Sequence, residues 1–206
     1  MSTTQKISEK HELAPRERIL AAARELFYLR GIRAVGVDEI AAAASTNKMT
    51  LYRHFESKDQ LVAEYLKTLA REVEAAWEKV AQKHPDDPMQ QLRDLVACCA
   101  APASCGADRG CALANAAVEL PEPHHPARAV IEQHKTHQRD YLVKLCAEAG
   151  FTEPERLADE AFLLLEGARI NVQSVGSCGP GARIADMILR LLESHPRKKS
   201  PPRKRA

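Results

Sequence analysis

Apolar residues of this chain recur at intervals of three and four positions, and no segment shows a convincing alternation of apolar and polar residues. Steps of three and four place side chains on one face of an α-helix, whereas alternation would place them on one face of a strand. The longest such stripe consists of Leu61, Tyr65, Leu69, Val73, Trp77 and Val80. We therefore predict an all-α fold with about nine helices.

Prolines, glycines and polar clusters divide the helical pattern into segments. The first predicted helix spans about residues 15–30 and ends at Gly31, which is suited to a left-handed cap. A long helix is predicted to begin near Lys58 and end at His84. Five further helices are predicted over Met89–Ala101, Ala112–Glu119, 126–149, Glu155–Val175 and Ala182–Ser194.

Two short helices with a polar break between them are predicted within Asp38–Phe55, and this arrangement fits a helix-turn-helix. Ser45, Thr46 and Asn47 form the break, and Thr46 or Asn47 can cap the second helix.

The second short helix, Lys48–His54, has a distinct apolar side. Leu51 and Phe55 are four residues apart and can dock on Ile40 and Phe27. The other faces carry a cation, hydroxyl groups, a guanidinium and an imidazole, which are groups that bind phosphates and base edges.

The stretch RERILAAARELFYLRGIRAVGVDEIAAAASTNKMTLYRHFESKDQLV resembles the N-terminal domain of TetR-family transcriptional regulators. The string T-L-Y-x-x-F-x-S-K, followed by an acidic residue and a long helix, carries much of the likeness. The resemblance implies a three-helix DNA-binding head and a helical body that binds a ligand and forms a dimer.

The resemblance also assigns roles to residues by position. The positions that match contacts to the DNA backbone are Thr50, Tyr52, His54 and Lys58. Those that match residues facing the major groove are Lys48, Met49 and Arg53, and we add Asn47 to this DNA-binding set. Lys58 also places its charge at a helix N-terminus, which already favours anions.

Two positions depart from the family pattern. Ser45 stands where the family usually has a turn glycine, so the turn has less left-handed freedom. Gly36 stands where a serine or threonine cap is common, so a capping hydroxyl and its phosphate contact are missing.

Charge is distributed unevenly along the chain, although the net charge is only +2. Residues 1–60 hold ten Lys and Arg against eight Asp and Glu, and residues 196–206 hold six basic residues and no acid. The part in between therefore has an excess of acid, which disfavours a protein that coats DNA nonspecifically. We predict a flexible arm over 1–14, the head over 15–60, the body over 61–195 and a basic disordered tail over 196–206.

A homodimer would place two recognition helices in successive major grooves, so we expect an inverted-repeat operator. The dimer surface is expected on the last two helices, which are apolar almost all round. The function implied is a repressor that an unknown small-molecule inducer releases from DNA.

Several residues of the body are candidates for the effector site: Trp77, Cys111, Asn115, Tyr141, Glu166 and Arg169. A Glu-x-x-Arg spacing on one helix more often indicates that Glu166 and Arg169 pair with each other. A lone tryptophan at helical spacing, such as Trp77, is more often a plain core residue.

The alternative function is a thiol sensor of oxidants or electrophiles that acts through Cys111 and the neighbouring cysteines Cys98, Cys99 and Cys105. Arg109 and a helix start beside Cys111 favour the thiolate. Small buried cysteines that only fill helix contacts are the simpler interpretation.

A zinc site from Cys105, Cys111, His124 and His125 is less favoured, because the spacing matches no recognised ligand pattern. We predict no metal, no cofactor and no enzymatic activity, since no motif supplies an oriented base and oxyanion donors. The absence of a secretory signal or a long apolar run predicts a cytoplasmic protein without a membrane span, with reduced thiols, and associated with the nucleoid when bound to DNA.

Overall fold

The structure, a computed structural model, describes residues 13–100, 109–176 and 178–198. Within these ranges the α-helices are α1 Pro15–Arg30, α2 Val37–Ala43, α3 Lys48–His54, α4 Lys58–Lys83, α5 Pro88–Ala100, α6 Ala112–Glu119, α7 Pro126–Glu148, α8 Pro154–Val175 and α9 Ile184–Ser194. A 3₁₀ turn, Pro180–Arg183, precedes α9. The prediction of an all-α fold with about nine helices is confirmed.

Helix α1 shows how local sequence sets a helix's ends. Pro15 occupies the first turn, where its missing N–H costs nothing and its fixed φ already suits a helix. Gly31 ends the helix with φ +87°, and its N–H donates to the Phe27 carbonyl at 3.0 Å. A side chain is strained at such a φ, so this position requires glycine.

The packing divides the chain into two compact units. The first takes in the described residues up to Glu72 together with Cys111–Gln133. Its core contains α1–α3, the first half of α4, α6 and the start of α7, and its fully buried side chains include Ile19, Ile40, Leu51 and Leu61. The three N-terminal helices, α1–α3, therefore share one core with α6.

The second unit takes in the described residues of 73–110 and of 134–198. Its core is built from the end of α4, α5, most of α7, α8 and α9, around Trp77, Leu145, Phe151 and Ile188. These units describe packing, and the functional division at residues 60 and 61 stays a prediction.

The start of the predicted tail is ordered, contrary to the expectation of disorder from Pro196 onward. The Pro196 carbonyl accepts from the N–H of Thr152 at 3.1 Å, and the Lys198 N–H donates to the Gly150 carbonyl at 2.7 Å. The Arg197 guanidinium donates to the Ala149 carbonyl at 2.6 Å. The composition of this segment predicted that it could not form a core. It is ordered instead by backbone hydrogen bonds and by the hydrogen bond of Arg197 to a carbonyl group that follows α7. Residues 199–206, and the arm over 1–12, lie outside the described residues.

Candidate nucleic-acid interface

The turn between α2 and α3 closes through backbone hydrogen bonds. The N–H of Ser45 donates to the Ala42 carbonyl at 3.0 Å, and the N–H of Thr46 donates to the Ala41 carbonyl at 2.9 Å. Ser45 has φ +51°, in the left-handed region that the departure from the family's glycine predicted. An L-residue there costs about 1–2 kcal/mol relative to its usual conformation.

Helix α3 begins with a side-chain cap. The Oδ1 atom of Asn47 accepts from the N–H of Thr50 at 2.9 Å, so Asn47 rather than Thr46 provides the cap. The cap satisfies one of the N–H groups that have no partner within the helix. It fixes the direction of a helix that has only seven residues.

The apolar side of α3 holds it on the head. Leu51 is fully buried and Phe55 nearly so, and both belong to the same core as Phe27 and Ile40. The Arg16 guanidinium covers the Phe55 ring at 5.0 Å from its centroid. The predicted docking of the two apolar residues is confirmed.

The opposite side of α3 is open to solvent. Met49 is 74% exposed and Tyr52 41% exposed, which is unusual for such apolar bodies. The other exposed members of the predicted set are Asn47, Lys48, Arg53 and His54, while Thr50 is half-buried. Seven of the eight predicted DNA-binding residues thus lie at or within one short helix, and six of those seven are exposed.

Lys58, the eighth residue, begins α4 and is half-buried. Its ammonium donates to the Ile32 carbonyl at 2.7 Å, a contact that no sequence motif predicts. Burial lowers the pKa of Lys58 and outweighs the opposing carboxylates of Asp59 and Glu119. Ser57 caps α4, because its Oγ accepts from the N–H of Gln60 at 3.1 Å.

Gly36 precedes α2 in an extended conformation, and no side chain caps that helix. A Cβ placed at Gly36 would meet no atom within 4 Å. The missing cap predicted from the sequence is therefore confirmed, and the site has room for a side chain.

The N-terminal head matches a known protein family. Residues 19–65 match the family model of the bacterial regulatory proteins of the tetR family. The HTH-type transcriptional activator FasR of Mycolicibacterium smegmatis is 42% identical over 83 residues, which are 39% of this chain and 36% of FasR. The match thus spans little more than a third of that relative.

Two further proteins are similar over most of their length. The HTH-type transcriptional regulator YjdC of Escherichia coli is 25% identical over 181 residues, 85% of this chain and 93% of YjdC. The crystal structure of a TetR-family transcriptional regulator from Streptomyces coelicolor superposes with a TM-score of 0.77 at 29% identity, covering 87% of this chain and 92% of that one.

The chain carries the N-terminal domain of the bacterial tetR-family regulatory proteins, and its fold is that of solved TetR-family transcriptional regulators. Its relatives and its fold are those of transcription regulators, which are not enzymes. The regulator carries its DNA-binding head in the first of its two units.

The effector candidates fall in both units of the regulator. Cys111 and Asn115 belong to the first unit, where the Asn115 N–H donates to the Cys111 carbonyl at 3.0 Å at the start of α6. The other four candidates, Trp77, Tyr141, Glu166 and Arg169, lie in the second unit. Their role in binding an effector stays a prediction.

Trp77 is a core residue with aromatic neighbours. It is 4% exposed, and it stacks on Tyr141 with ring centroids 5.3 Å apart and planes 7° apart. His134 stacks on Trp77 as well, at 5.8 Å and 20°. The sequence did not single out His134, because a lone histidine within a helical stripe carries no signal.

Glu166 is held between two cations. Its carboxylate lies 2.6 Å from the Arg169 Nη1 atom, the pairing within α8 that the spacing allowed, and 2.5 Å from the Lys135 Nζ atom. Burial raises the pKa of Glu166, but the two cations outweigh it and hold the pKa below its ordinary value. Lys135 was not predicted because its contact joins residues 31 positions apart.

Two buried polar atoms of the same unit have no hydrogen-bond partner among the described residues: Nδ1 of His134 and Oε1 of Gln138. A buried polar group without a partner costs about 1–3 kcal/mol. The Nδ1 atom of His134 lies 3.9 Å from the Glu74 carboxylate, too far for a hydrogen bond. Burial and the nearby Lys135 lower the pKa of His134 below its ordinary value and outweigh the opposing effect of the Glu74 carboxylate.

The cysteines and histidines give the alternative functions little support within the described residues. Cys111 is half-buried, and burial raises the pKa of the Cys99 thiol, which opposes thiolate formation. Among the described residues no group of three metal-binding side chains comes together, while Cys105 lies outside them. Both nitrogens of His125 already have neighbours, the Ala127 N–H at 3.1 Å and the Asp59 carboxylate at 3.3 Å.

No helix within residues 13–100, 109–176 and 178–198 is both long and apolar enough to cross a bilayer.

Proposed function

We propose that this regulator reads a specific DNA sequence with the exposed side of α3, which enters the major groove. The observation that carries the proposal is the division of α3 into two sides. Leu51 is buried, whereas Met49, Tyr52 and Arg53 are exposed on a helix that Asn47 caps. A helix fixed by its apolar side can present its polar side to base edges in one orientation.

The contacts divide into two classes. Lys48, Met49 and Arg53 read base edges, and Arg53 is suited to do so because a guanidinium pairs bidentately with guanine. Thr50, Tyr52, His54 and Lys58 contact phosphates and set the register. The Lys48 ammonium lies 3.4 Å from the Asp38 carboxylate, and this exposed pair is weak enough to open when DNA binds.

The regulator acts as a homodimer on an inverted repeat, and α8 and α9 form the dimer surface. One side of each helix is buried in its own unit, as Leu165 and Ile188 show. Large apolar side chains are exposed elsewhere on the two helices: Leu163, Leu164, Ile170, Val175 and Met187. A second copy of the chain covers them, because a twofold axis makes one surface serve both partners.

The regulator represses transcription until a small molecule binds the second unit. Only a molecule that prefers the form unable to bind DNA can shift the equilibrium. The buried polar groups around Trp77 and Glu166 suit an effector site, because pockets combine apolar walls with a few polar groups. The relative FasR is named an activator. Expression from the regulator's own promoter, measured in a strain that lacks the regulator, therefore tests whether it represses or activates transcription. A rise supports repression, and a fall contradicts it. We place the regulator in the cytoplasm, on the nucleoid when bound.

A mobility-shift experiment with the DNA upstream of the regulator's own gene tests the DNA-binding proposal. We expect a shift that survives an excess of scrambled duplex and a protected inverted repeat in a footprint. As a control, Lys144→Ala removes an exposed cation of the second unit and leaves the shift unchanged. Competition by scrambled DNA as strong as by the upstream DNA would contradict sequence-specific reading and favour a nonspecific DNA-organising protein.

Sedimentation of an Ile170→Glu variant tests the dimer surface. We expect the variant to sediment as a monomer, whereas Val118→Glu, at an 81% exposed residue of α6, stays dimeric. A dimeric Ile170→Glu protein contradicts the assignment of this surface.

A further inference from the structure

One peptide group in the turn after α1 connects Lys58 to a carboxylate on α6. The carbonyl of Ile32 accepts from the Lys58 ammonium at 2.7 Å. The N–H of the same peptide bond, that of Arg33, donates to the Glu119 Oε2 atom at 3.1 Å. The three groups form a chain: ammonium, peptide plane and carboxylate.

Hydrogen bonds in such a chain strengthen one another, because each polarises the next. The carboxylate on the N–H side draws the peptide dipole toward itself and leaves more negative charge on the Ile32 oxygen. The Lys58 ammonium is thereby held more firmly than by a carbonyl alone.

The turn is shaped around the carboxylate. Gly31 is buried with φ +87°, and a Cβ placed on it would lie 3.0 and 3.1 Å from the two oxygens of Glu119. Real Cβ contacts are rarely that short, so the glycine lets Glu119 approach the backbone. Glu119 itself is half-buried, at the last position of α6.

The segment that follows α6 is attached at two further points. Glu122 accepts from the Arg33 guanidinium at 2.8 Å, and the largely buried His125 lies 3.3 Å from the carboxylate of Asp59, next to Lys58. The His125 contact thus places the segment after α6 beside the start of α4, whereas the Arg33–Glu122 pair is exposed on both sides and contributes little.

We propose that Glu119 is a positioning residue for DNA binding, because it sets the Lys58 ammonium through the Ile32–Arg33 peptide group. The inference rests on the proposed DNA-binding function, in which Lys58 contacts a backbone phosphate. A lysine held in place loses less side-chain freedom when it meets a phosphate. The Ile32 carbonyl occupies one of three ammonium donors, so two remain for DNA.

Four variants of Glu119 and its neighbours test the inference. Glu119→Asp keeps the charge but shortens the side chain, Glu119→Ala removes the carboxylate, and Glu119→Gln keeps an acceptor oxygen in place. Glu122→Gln is the matched control, because its ion pair with Arg33 is exposed on both sides and contributes little. Each variant is made in the wild-type protein and in a Lys58→Met background.

DNA affinity for the footprinted upstream duplex is then measured by fluorescence anisotropy. We expect Glu119→Ala and Glu119→Asp to weaken binding about fivefold, and less than about twofold in the Lys58→Met background, as for directly coupled residues. Glu119→Gln and Glu122→Gln should not weaken binding by more than about twofold. Equal weakening in both backgrounds, or none in the wild type, overturns the inference.

Hydrogen exchange of the Arg33 amide gives a readout without DNA. We expect protection in the wild type and in Glu119→Gln, and faster exchange in Glu119→Ala and Glu119→Asp. An Arg33 amide that exchanges equally in all four proteins overturns the inference, even where a variant's affinity falls because it is unstable. A wild-type protein that shows no specific binding overturns the proposed function itself, and the inference with it.

Discussion

The two units of the regulator place their polar side chains in opposite ways. On α3, in the first unit, the polar groups face solvent, and the apolar side chains beneath them fix the helix. In the second unit, Glu166 is half-buried between Lys135 and Arg169, and the Nδ1 atom of the buried His134 has no hydrogen-bond partner among the described residues. A surface that meets DNA needs exposed donors on a rigid support, whereas a sensor needs polar groups that a small molecule can complete.

Among the variants considered, the largest loss of stability is expected when the buried side chain that anchors α3 is removed. Leu51→Ala should lower the free energy of unfolding by about 2–5 kcal/mol, because it leaves a cavity under the helix. Met49→Ala, on the exposed side, should leave stability within about 0.5 kcal/mol of the wild type. Urea denaturation followed by circular dichroism measures both, and equal losses would show that α3 has no separate anchoring side.

The second unit is tested by Glu166→Gln. The substitution removes the carboxylate charge that contacts both Lys135 and Arg169 and should cost about 1–3 kcal/mol. The folded pKa of Glu166 lies below its ordinary value, so its contribution is present at neutral pH and is lost as the pH falls through the folded pKa. The cost of Glu166→Gln, measured by urea denaturation, should therefore shrink below about pH 4.

Arg156→Gln is the matched control for Glu166→Gln, because Arg156 forms an exposed pair with Glu160 on the same helix. It should change stability by less than about 1 kcal/mol. A Glu166→Gln cost no larger than this control would mean that the two cations are already satisfied by solvent.

The turn of the head allows a gain in stability. Ser45→Gly should stabilise the regulator by about 1 kcal/mol, since glycine adopts φ +51° without strain. The same change at Ala42, an exposed position within α2, should instead destabilise it by a similar amount. Thermal unfolding distinguishes the signs, and a loss at Ser45 would show that its hydroxyl has a structural role.

The smallest expected effect is at the start of α2. Gly36→Ser should stabilise the helix by a few tenths of a kcal/mol through a side-chain cap, because the site has open space. The added hydroxyl should also strengthen DNA binding. Gly36→Ala, which has no hydroxyl, is the control in both thermal unfolding and anisotropy, and an equal result for the two variants would rule out the cap.

Local features of the head could be predicted from sequence because they depend on neighbouring residues. The spacing of Leu51 and Phe55 and a cap at Thr46 or Asn47 follow from side chains within a few positions, and the left-handed turn at Ser45 follows from the family resemblance. The Lys58 contact could not be predicted in this way, since the partner is a backbone carbonyl 26 residues away. Every residue has a backbone carbonyl group, so the residue types in a sequence do not reveal which carbonyl accepts a distant hydrogen bond.

The second unit was harder to predict for a related reason. The pairing of Glu166 with Arg169 follows from a three-residue step, but Lys135 joins them from another helix. The same limit applies to Pro196–Lys198, which composition predicted to be disordered and which long-range backbone pairing orders. Residues that work through distant partners require the fold to be known.

In the proposed complex, the exposed side of α3 reads bases while its flanking groups hold phosphates. Affinity measured across a library of operator duplexes, each with one base pair changed, tests it most directly. We expect Arg53→Ala to lose preference at one base pair in each half-site, at a cost of about 1–3 kcal/mol on the preferred sequence. Tyr52→Ala should weaken binding to every duplex by a similar factor. Equal losses for both variants on all duplexes would contradict the account.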